Sequence, residues 1–302
     1  MTEMAPIAVI IPTYGRGRAV ISVLERVLAC DPLPAEIWVH IDASDGLLER
    51  EIEKQFPDVH ILTSADRLGP GGGRHRCLLS CGTPYAVSLD DDSWPADGDF
   101  FAGIEPLFDE YPQAAVFGAS IWHRSEAPMV RTRLVRRVAS YVGCGHAIRV
   151  AAYRDVRGYL ARATAYGIEE SDVGLQLFAK GWHVCSAGVL RVYHDTDRSH
   201  HNAAEITAST ITNLALLTFL HYPAADFGRG LAQVANRILF CLQIGRTRGI
   251  AAGIAGIFIE CFRHRTLRDP IEHGALVEYL QLRRAESDLT ELAASAPVDA
   301  RA

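Results

Sequence analysis

Three consecutive aspartates, Asp90-Asp91-Asp92, stand directly after the hydrophobic run Tyr85-Ala86-Val87-Ser88-Leu89. Adjacent carboxylates repel one another, so such a triplet is tolerable where a divalent cation or solvent offsets the charge. Two further acids, Glu169 and Glu170, open a segment that reads as a helix ended by Gly181. Carboxylates there either complement the positive end of the helix or serve as a general base toward a hydroxyl nucleophile. His194 closes the run Val189 to Tyr193, and imidazole beside carboxylates suits manganese. Each feature alone also has a bland reading: an acidic turn, a helix start, a polar strand end.

Other segments offer contacts for a nucleotide. Pro12-Thr13-Tyr14-Gly15-Arg16 combines a hydroxyl, an aromatic face and a guanidinium, and Asp42 follows a second hydrophobic run, where it can accept hydrogen bonds from a base or ribose. The stretch Arg67 to Arg76 surrounds Gly69, Gly71, Gly72 and Gly73 with cations, Arg74 among them, so its backbone N–H groups could meet a diphosphate. It lacks the spacing of a Walker A loop or a dinucleotide fingerprint. Arg198, His200 and His201 fall in a segment that could close over the diphosphate.

These residues must be positioned by alternating elements. Ile7 to Pro12 reads as a strand buried on both faces, and Val20, Val23, Leu24, Val27 and Leu28 follow at helical spacing. Strands at Ile37 to Ile41, Val59 to Leu62, Tyr85 to Leu89 and Ala115 to Ser120 continue the pattern, with a helix over Leu48 to Phe56. Alternation of this kind predicts right-handed crossovers and a mainly parallel sheet, with ligands at the carboxyl ends of its strands. Strands at Trp182 to Cys185 and Val189 to Tyr193 follow, and Arg131 to Arg137 reads as a loop or short helix. From Ala203 the chain reads as helices ending in a frayed tail over Ala293 to Ala302. The division expected is therefore residues 1–202 as the catalytic unit and 203–302 as a helical extension.

Taken together, the motifs from Ile7 to His194 resemble family 2 glycosyltransferases. The resemblance implies an α/β GT-A fold, Rossmann-like with a mainly parallel sheet flanked by helices. It implies that Val9-Ile10-Ile11-Pro12-Thr13-Tyr14 is the nucleotide-binding first strand and that Asp42 contacts the base. Asp90-Asp91-Asp92 then matches the DxD element, with Asp92 on the metal and an earlier aspartate on the ribose or metal, and His194 completes the metal site. Gly143-Cys144-Gly145-His146 and Arg157-Gly158-Tyr159 are similar to the acceptor-side segment. Glu169-Glu170-Ser171-Asp172 looks like the Glu-Asp-x-Asp motif, except that Glu170 replaces the usual aspartate, which leaves Glu170 or Glu169 as the base. The implied activity is an inverting, Mn²⁺- or Mg²⁺-dependent transfer of sugar from a nucleotide diphosphate sugar to an acceptor hydroxyl.

Bulk properties agree with a folded enzyme: 302 residues, 49 % hydrophobic and 22 % charged. A net charge of −6 argues against nucleic acid as a partner. The seven cysteines form no CxxC pair and read as buried thiols in a reducing cytoplasm. Residues Met1 to Pro6 carry no basic signal region, so a cytoplasmic location is expected. Gly249 to Ile259 is too short to span a bilayer, yet Arg246, Arg248, Arg263, Arg265 and Arg268 flank it, compatible with the inner face of an anionic membrane or with a homodimer contact. Two other classes compete: a sugar nucleotidyltransferase, which carries a glycine-rich basic loop after its first strand where Pro12-Thr13-Tyr14-Gly15 stands here, and a catalytically silent nucleotide- or carbohydrate-binding module.

Overall fold

The computed structural model describes residues 4–162, 168–196 and 204–295. Its first strand, β1 (Met4–Thr13), carries Ile7, Val9 and Ile11 on one face and Ala8 and Ile10 on the other, and all five are fully buried. That period-2 alternation feeds two hydrophobic clusters, one on each side of the sheet. Against the first cluster lies α1 (Gly17–Leu28), which buries Val20, Val23, Leu24 and Val27; Leu28, expected in the same stripe, is 42 % exposed at the end of the helix.

Strands β2 (Leu33–Ile41) and β3 (His60–Thr63) extend the sheet on one side of β1, separated by α2 (Leu47–Gln55). On the other side lies β4 (Tyr85–Leu89), reached through α3 (Gly69–Ser80). Beyond it come β8 (Gly145–Arg149), β6 (Ala114–His123), β9 (His183–His194) and the short β5 (Ser93–Pro95), and β7 (Val135–Arg137) pairs with β9. Strands β1 to β4, β6 and β9 point one way, while β5, β7 and β8 run against them. The sheet is thus mixed, with its dominant direction parallel. The segment read as a loop or short helix contributes β7, and the two strands expected after Gly181 are one continuous β9.

Helix α4 (Ile104–Glu110) leads from β5 to β6, α5 (Val150–Arg154) follows β8, and α6 (Glu169–Ala179) packs on the second cluster. From the C-terminal region, α7 (Ala204–His221) and α10 (His273–Ser295) contribute Leu216, Leu217, Leu220, Leu276 and Tyr279 to that same cluster. His221 on α7 and Arg157 both bind the carboxylate of Asp172 on α6, at 2.5 and 2.6 Å. Outside these lie α8 (Phe227–Gln243) and α9 (Ile250–Arg263), which bury little beyond Val234, Cys241, Gly253 and Glu260. All seven cysteines are free thiols.

Candidate active site

The carboxyl edge of the sheet opens into a cleft of about 670 Å³. Its walls come from strand ends: Pro12, Thr13, Tyr14 and Arg16 after β1, Asp42 after β2, Asp90, Asp91 and Asp92 after β4, and His194 at the end of β9. Gly69 and Pro70 at the start of α3 face the same space. Arg67, from the cationic glycine-rich stretch, also lines it, as do His123, Val142 and Thr196, which sequence reading missed. His123 was accessible to the strand-end argument, since it closes β6 and pairs in register with His194.

Each aspartate of the triplet has its own set of partners. Arg74 forms an ion pair with Asp90 Oδ1. Asp91 accepts a hydrogen bond from Thr13 Oγ1 at 2.7 Å and lies 3.3 Å from Arg16 Nη1; burial outweighs both and pushes its carboxyl up to about 6. Asp92 receives Arg16 Nη1 at 2.6 Å and pairs with His194 Nε2 at 3.0 Å. Burial works against the Asp92 charge, but His194 and Arg16 together hold its carboxyl below the usual range. His194 is the complement: burial pulls its pKa down, and the bond to Asp92 with the charges of Asp90 and Asp92 more than restores it. Positive side chains therefore converge where three carboxylates meet. Oxygen and imidazole nitrogen are a donor set that suits a divalent cation such as manganese.

Arg74, Glu169 and Glu170 lie behind the cleft floor instead of lining it. The Arg74 guanidinium is buried, donating from Nε to Ser88 Oγ at 2.9 Å and pairing with Asp90. Despite burial its pKa is raised, first by Asp90 and then by Glu170. Glu169 is buried, accepts a hydrogen bond from Gly71 N at 3.2 Å, and lines a small inner cavity with Leu160, Asp172, Leu216 and Leu220. Glu170 is partly exposed and turns toward Arg74 and Gly143, where a β-carbon on Gly143 would collide with its carboxylate. Burial raises both glutamates above the usual carboxylate range, with Arg74 opposing. Of the two candidate bases, Glu170 is the less buried.

Two of the segments singled out in the sequence are held by internal hydrogen bonds. Three N–H groups of the glycine-rich stretch are already engaged: Leu68 N and Gly69 N donate to Asp42 at 2.7 and 2.8 Å, and Gly71 N to Glu169 at 3.2 Å. Asp42 also accepts from Ser64 Oγ at 2.9 Å, so in this structure it clamps the start of α3 instead of presenting an idle carboxylate. The glycines serve packing, since a β-carbon on Gly73 would lie 2.8 Å from His40 and 3.0 Å from Pro12. Second, the segments expected on the acceptor side form a buried hydrogen-bonded chain. Tyr141 Oη meets Tyr159 Oη at 2.9 Å, Tyr159 Oη meets His146 Nε2 at 3.2 Å, and His146 Nδ1 meets Val142 O at 3.1 Å. Burial, with Arg74 adding to it, drives the pKa of His146 down to about 3, so this imidazole is a neutral structural link. Arg198, His200 and His201 lie outside the described residues.

The order of this sheet and its flanking helices are those of the GT-A fold. Solved structures of that fold superpose on it. The mannosyltransferase PcManGT from Pyrobaculum calidifontis, in complex with GDP-Man and Mn²⁺, matches 92 % of this chain and 87 % of its own at 13 % identity, with a TM-score of 0.55. S. aureus TarS 1–349 in complex with UDP-GlcNAc matches 77 % of this chain and 72 % of its own at 16 % identity, with a TM-score of 0.58. GalNAc-T7 with UDP, GalNAc and Mn²⁺ matches 74 % of this chain but 49 % of its own, at 12 % identity and a TM-score of 0.58. Residues 8–149 match the model of glycosyl transferase family 2. No curated protein sequence matches the chain.

Proposed function

We propose that this protein transfers a sugar from a nucleotide diphosphate donor to an acceptor hydroxyl with inversion, in a divalent-cation-dependent reaction. The observation that carries this reading is the convergence of Asp90, Asp91, Asp92 and His194 with Pro12, Thr13 and Tyr14 on one open cleft. Tyr14 is 49 % exposed, with Arg67 stacked 4.2 Å from its ring, and supplies an aromatic wall for the base beside Asp42. The carboxylates of the triplet and His194 would hold Mn²⁺ or Mg²⁺, which supplies charge neutralisation of the departing diphosphate. Arg16, at the cleft mouth, adds a second positive charge for the same oxygens. Glu170 takes the acceptor's hydroxyl proton as that oxygen bonds to the anomeric carbon and the bond to the diphosphate oxygen breaks. The relatives with bound GDP-Man and UDP-GlcNAc support a nucleotide-sugar donor.

The test is a thermal-shift screen of nucleotide diphosphate sugars with and without Mn²⁺. A donor at about 100 times its Kd stabilises the native state by about 2.7 kcal/mol, a rise in Tm of roughly 4 °C. We expect such a shift only when donor and cation are both present, and an equal shift in excess chelator sinks the metal dependence. A product that keeps the donor's anomeric configuration, read by NMR, sinks inversion.

We also propose that the protein works at a membrane surface. No helix among the described residues is long and apolar enough to cross a bilayer. Helices α8 and α9 nevertheless leave Leu231, Leu239, Phe240, Phe258, Ile259 and Phe262 exposed, Phe258 by 75 %. Arg248 and Arg265 are exposed beside them, and Arg263, though paired with Glu260, is 64 % exposed. Such a face suits the interface of an anionic bilayer. Arg268, expected in this set, is not available: its guanidinium binds Phe219 O and Tyr222 O and stacks on Phe219 and Phe227. The wild-type protein should float with anionic vesicles at low salt, and replacing Arg248, Arg263 and Arg265 with glutamate should abolish this. A protein that stays in the dense fraction, or a variant that floats unchanged, removes the membrane from the proposal.

A further inference from the structure

The strand ladders bring a third kind of donor, a thiol sulfur, to the acidic triplet. In the antiparallel pair β4–β8, Leu89 lies opposite Gly145, so the next residues along, Asp90 and Cys144, face each other at the carboxyl edge. Similarly, β5 pairs Ser93 with His194. Ser93 locks the arrangement: its Oγ accepts from Asp90 N and donates to Cys144 O, both at 2.8 Å. A carboxylate oxygen of Asp90, the Cys144 sulfur and a ring nitrogen of His194 consequently lie within 4.8 Å of one another. Cys144 is 2 % exposed, and its sulfur sits 3.4 Å from His194 Nδ1.

The two nitrogens of His194 divide the site. Nδ1 faces the sulfur, whereas Nε2 faces Asp92 Oδ1 at 3.0 Å. A histidine that ligates a cation through one nitrogen is commonly held through the other by a carboxylate, which fixes its tautomer and increases its basicity. A tetrahedral site with a metal–sulfur bond of about 2.3 Å and a metal–nitrogen bond of about 2.0 Å places sulfur and nitrogen about 3.5 Å apart. The Cys144–His194 spacing fits that edge.

The geometry points to a cation held by Asp90, the Cys144 thiolate and His194 Nδ1, with Asp92 gripping the far side of the imidazole. This inference rests on the cation-dependent reading above and moves Asp92, which the sequence placed on the metal, to a positioning role behind His194. Loading exchanges the Cys144 S–H proton for the sulfur–metal bond, and the proton leaves to solvent. Sulfur shifts the preference from Mg²⁺ toward softer divalent ions such as Co²⁺ and Zn²⁺.

Titration of the full-length protein with Co²⁺, without donor or acceptor, tests it. One Co²⁺ should bind per chain with a sulfur-to-cobalt charge-transfer band in the near ultraviolet, displaced by Zn²⁺ but not by equimolar Mg²⁺. Cys144→Ser should lose the band and bind Co²⁺ at least about 10-fold more weakly, whereas Asp92→Asn should keep the band with affinity lowered about 10-fold. Cobalt bound by the wild type without a sulfur band overturns the thiolate ligand and leaves cation-dependent transfer standing. No binding of Co²⁺, Zn²⁺ or Mn²⁺, with or without nucleotide, overturns both.

Discussion

Glu170→Gln lowers turnover by about 10²-fold or more while donor affinity stays within a few-fold of wild type. Glutamine keeps the size and hydrogen-bonding capacity of the side chain but cannot take the acceptor proton, so the loss falls on the chemical step. The pH profile supplies the second readout. Burial holds the Glu170 carboxyl above the ordinary glutamate range, so its basic form is gained as pH rises, and wild-type kcat/KM should climb across that titration. In Glu170→Gln that limb should flatten. Glu169→Gln is the control: Glu169 faces Gly71 and the inner cavity, and its loss should leave the limb in place. A Glu169→Gln protein that loses turnover while Glu170→Gln retains it would move the base one residue earlier.

Arg74→Met should cost about 3–5 kcal/mol of stability, lowering Tm by roughly 5–8 °C, because it removes the cation from a buried cluster of acids. Asp90 loses its ion-pair partner, and Glu169 and Glu170 lose the nearest opposing charge. The sign of the pH dependence follows. Both glutamates titrate higher in the folded protein than in the unfolded chain, so the native state holds the extra protons. Their contribution is fully present below the unfolded value near 4.5 and is lost as pH rises through the folded values. Removing Arg74 raises those folded values further, so the deficit of the variant should grow from mildly acidic pH through neutrality. Arg74→Lys should not rescue it fully, since an ammonium cannot match the guanidinium's fixed fork, which reaches Ser88 Oγ through Nε and Asp90 through Nη2. Melting curves across pH check both statements; a deficit that shrinks with rising pH contradicts the role assigned to Arg74.

The sequence by itself determined the strand-and-helix alternation as far as β4 and the identity of most cleft residues. Its reason is local: β-branched runs such as Ile7 to Ile11 can be buried on both faces only as central strands, and polar residues directly after them must fall on the carboxyl edge. Thr13, Tyr14, Arg16, Asp42, Asp90, Asp91, Asp92 and His194 were all legible in this way, and all line the cleft. Three things depended on contacts distant in sequence. Asp42 and the glycine-rich stretch satisfy each other across 26 and 27 residues, which no reading of either segment alone reveals. Glu169 and Glu170 are adjacent, yet successive positions on a helix point about 100° apart, so only the packing of α6 against α7, α10 and β9 decides which one turns to the inner cavity. Cys144 read as one more buried thiol because nothing local announces a ligand. Its meeting with Asp90 and His194, 54 and 50 residues away, follows from the register of an antiparallel strand inserted between parallel ones, and only the tertiary structure fixes that register.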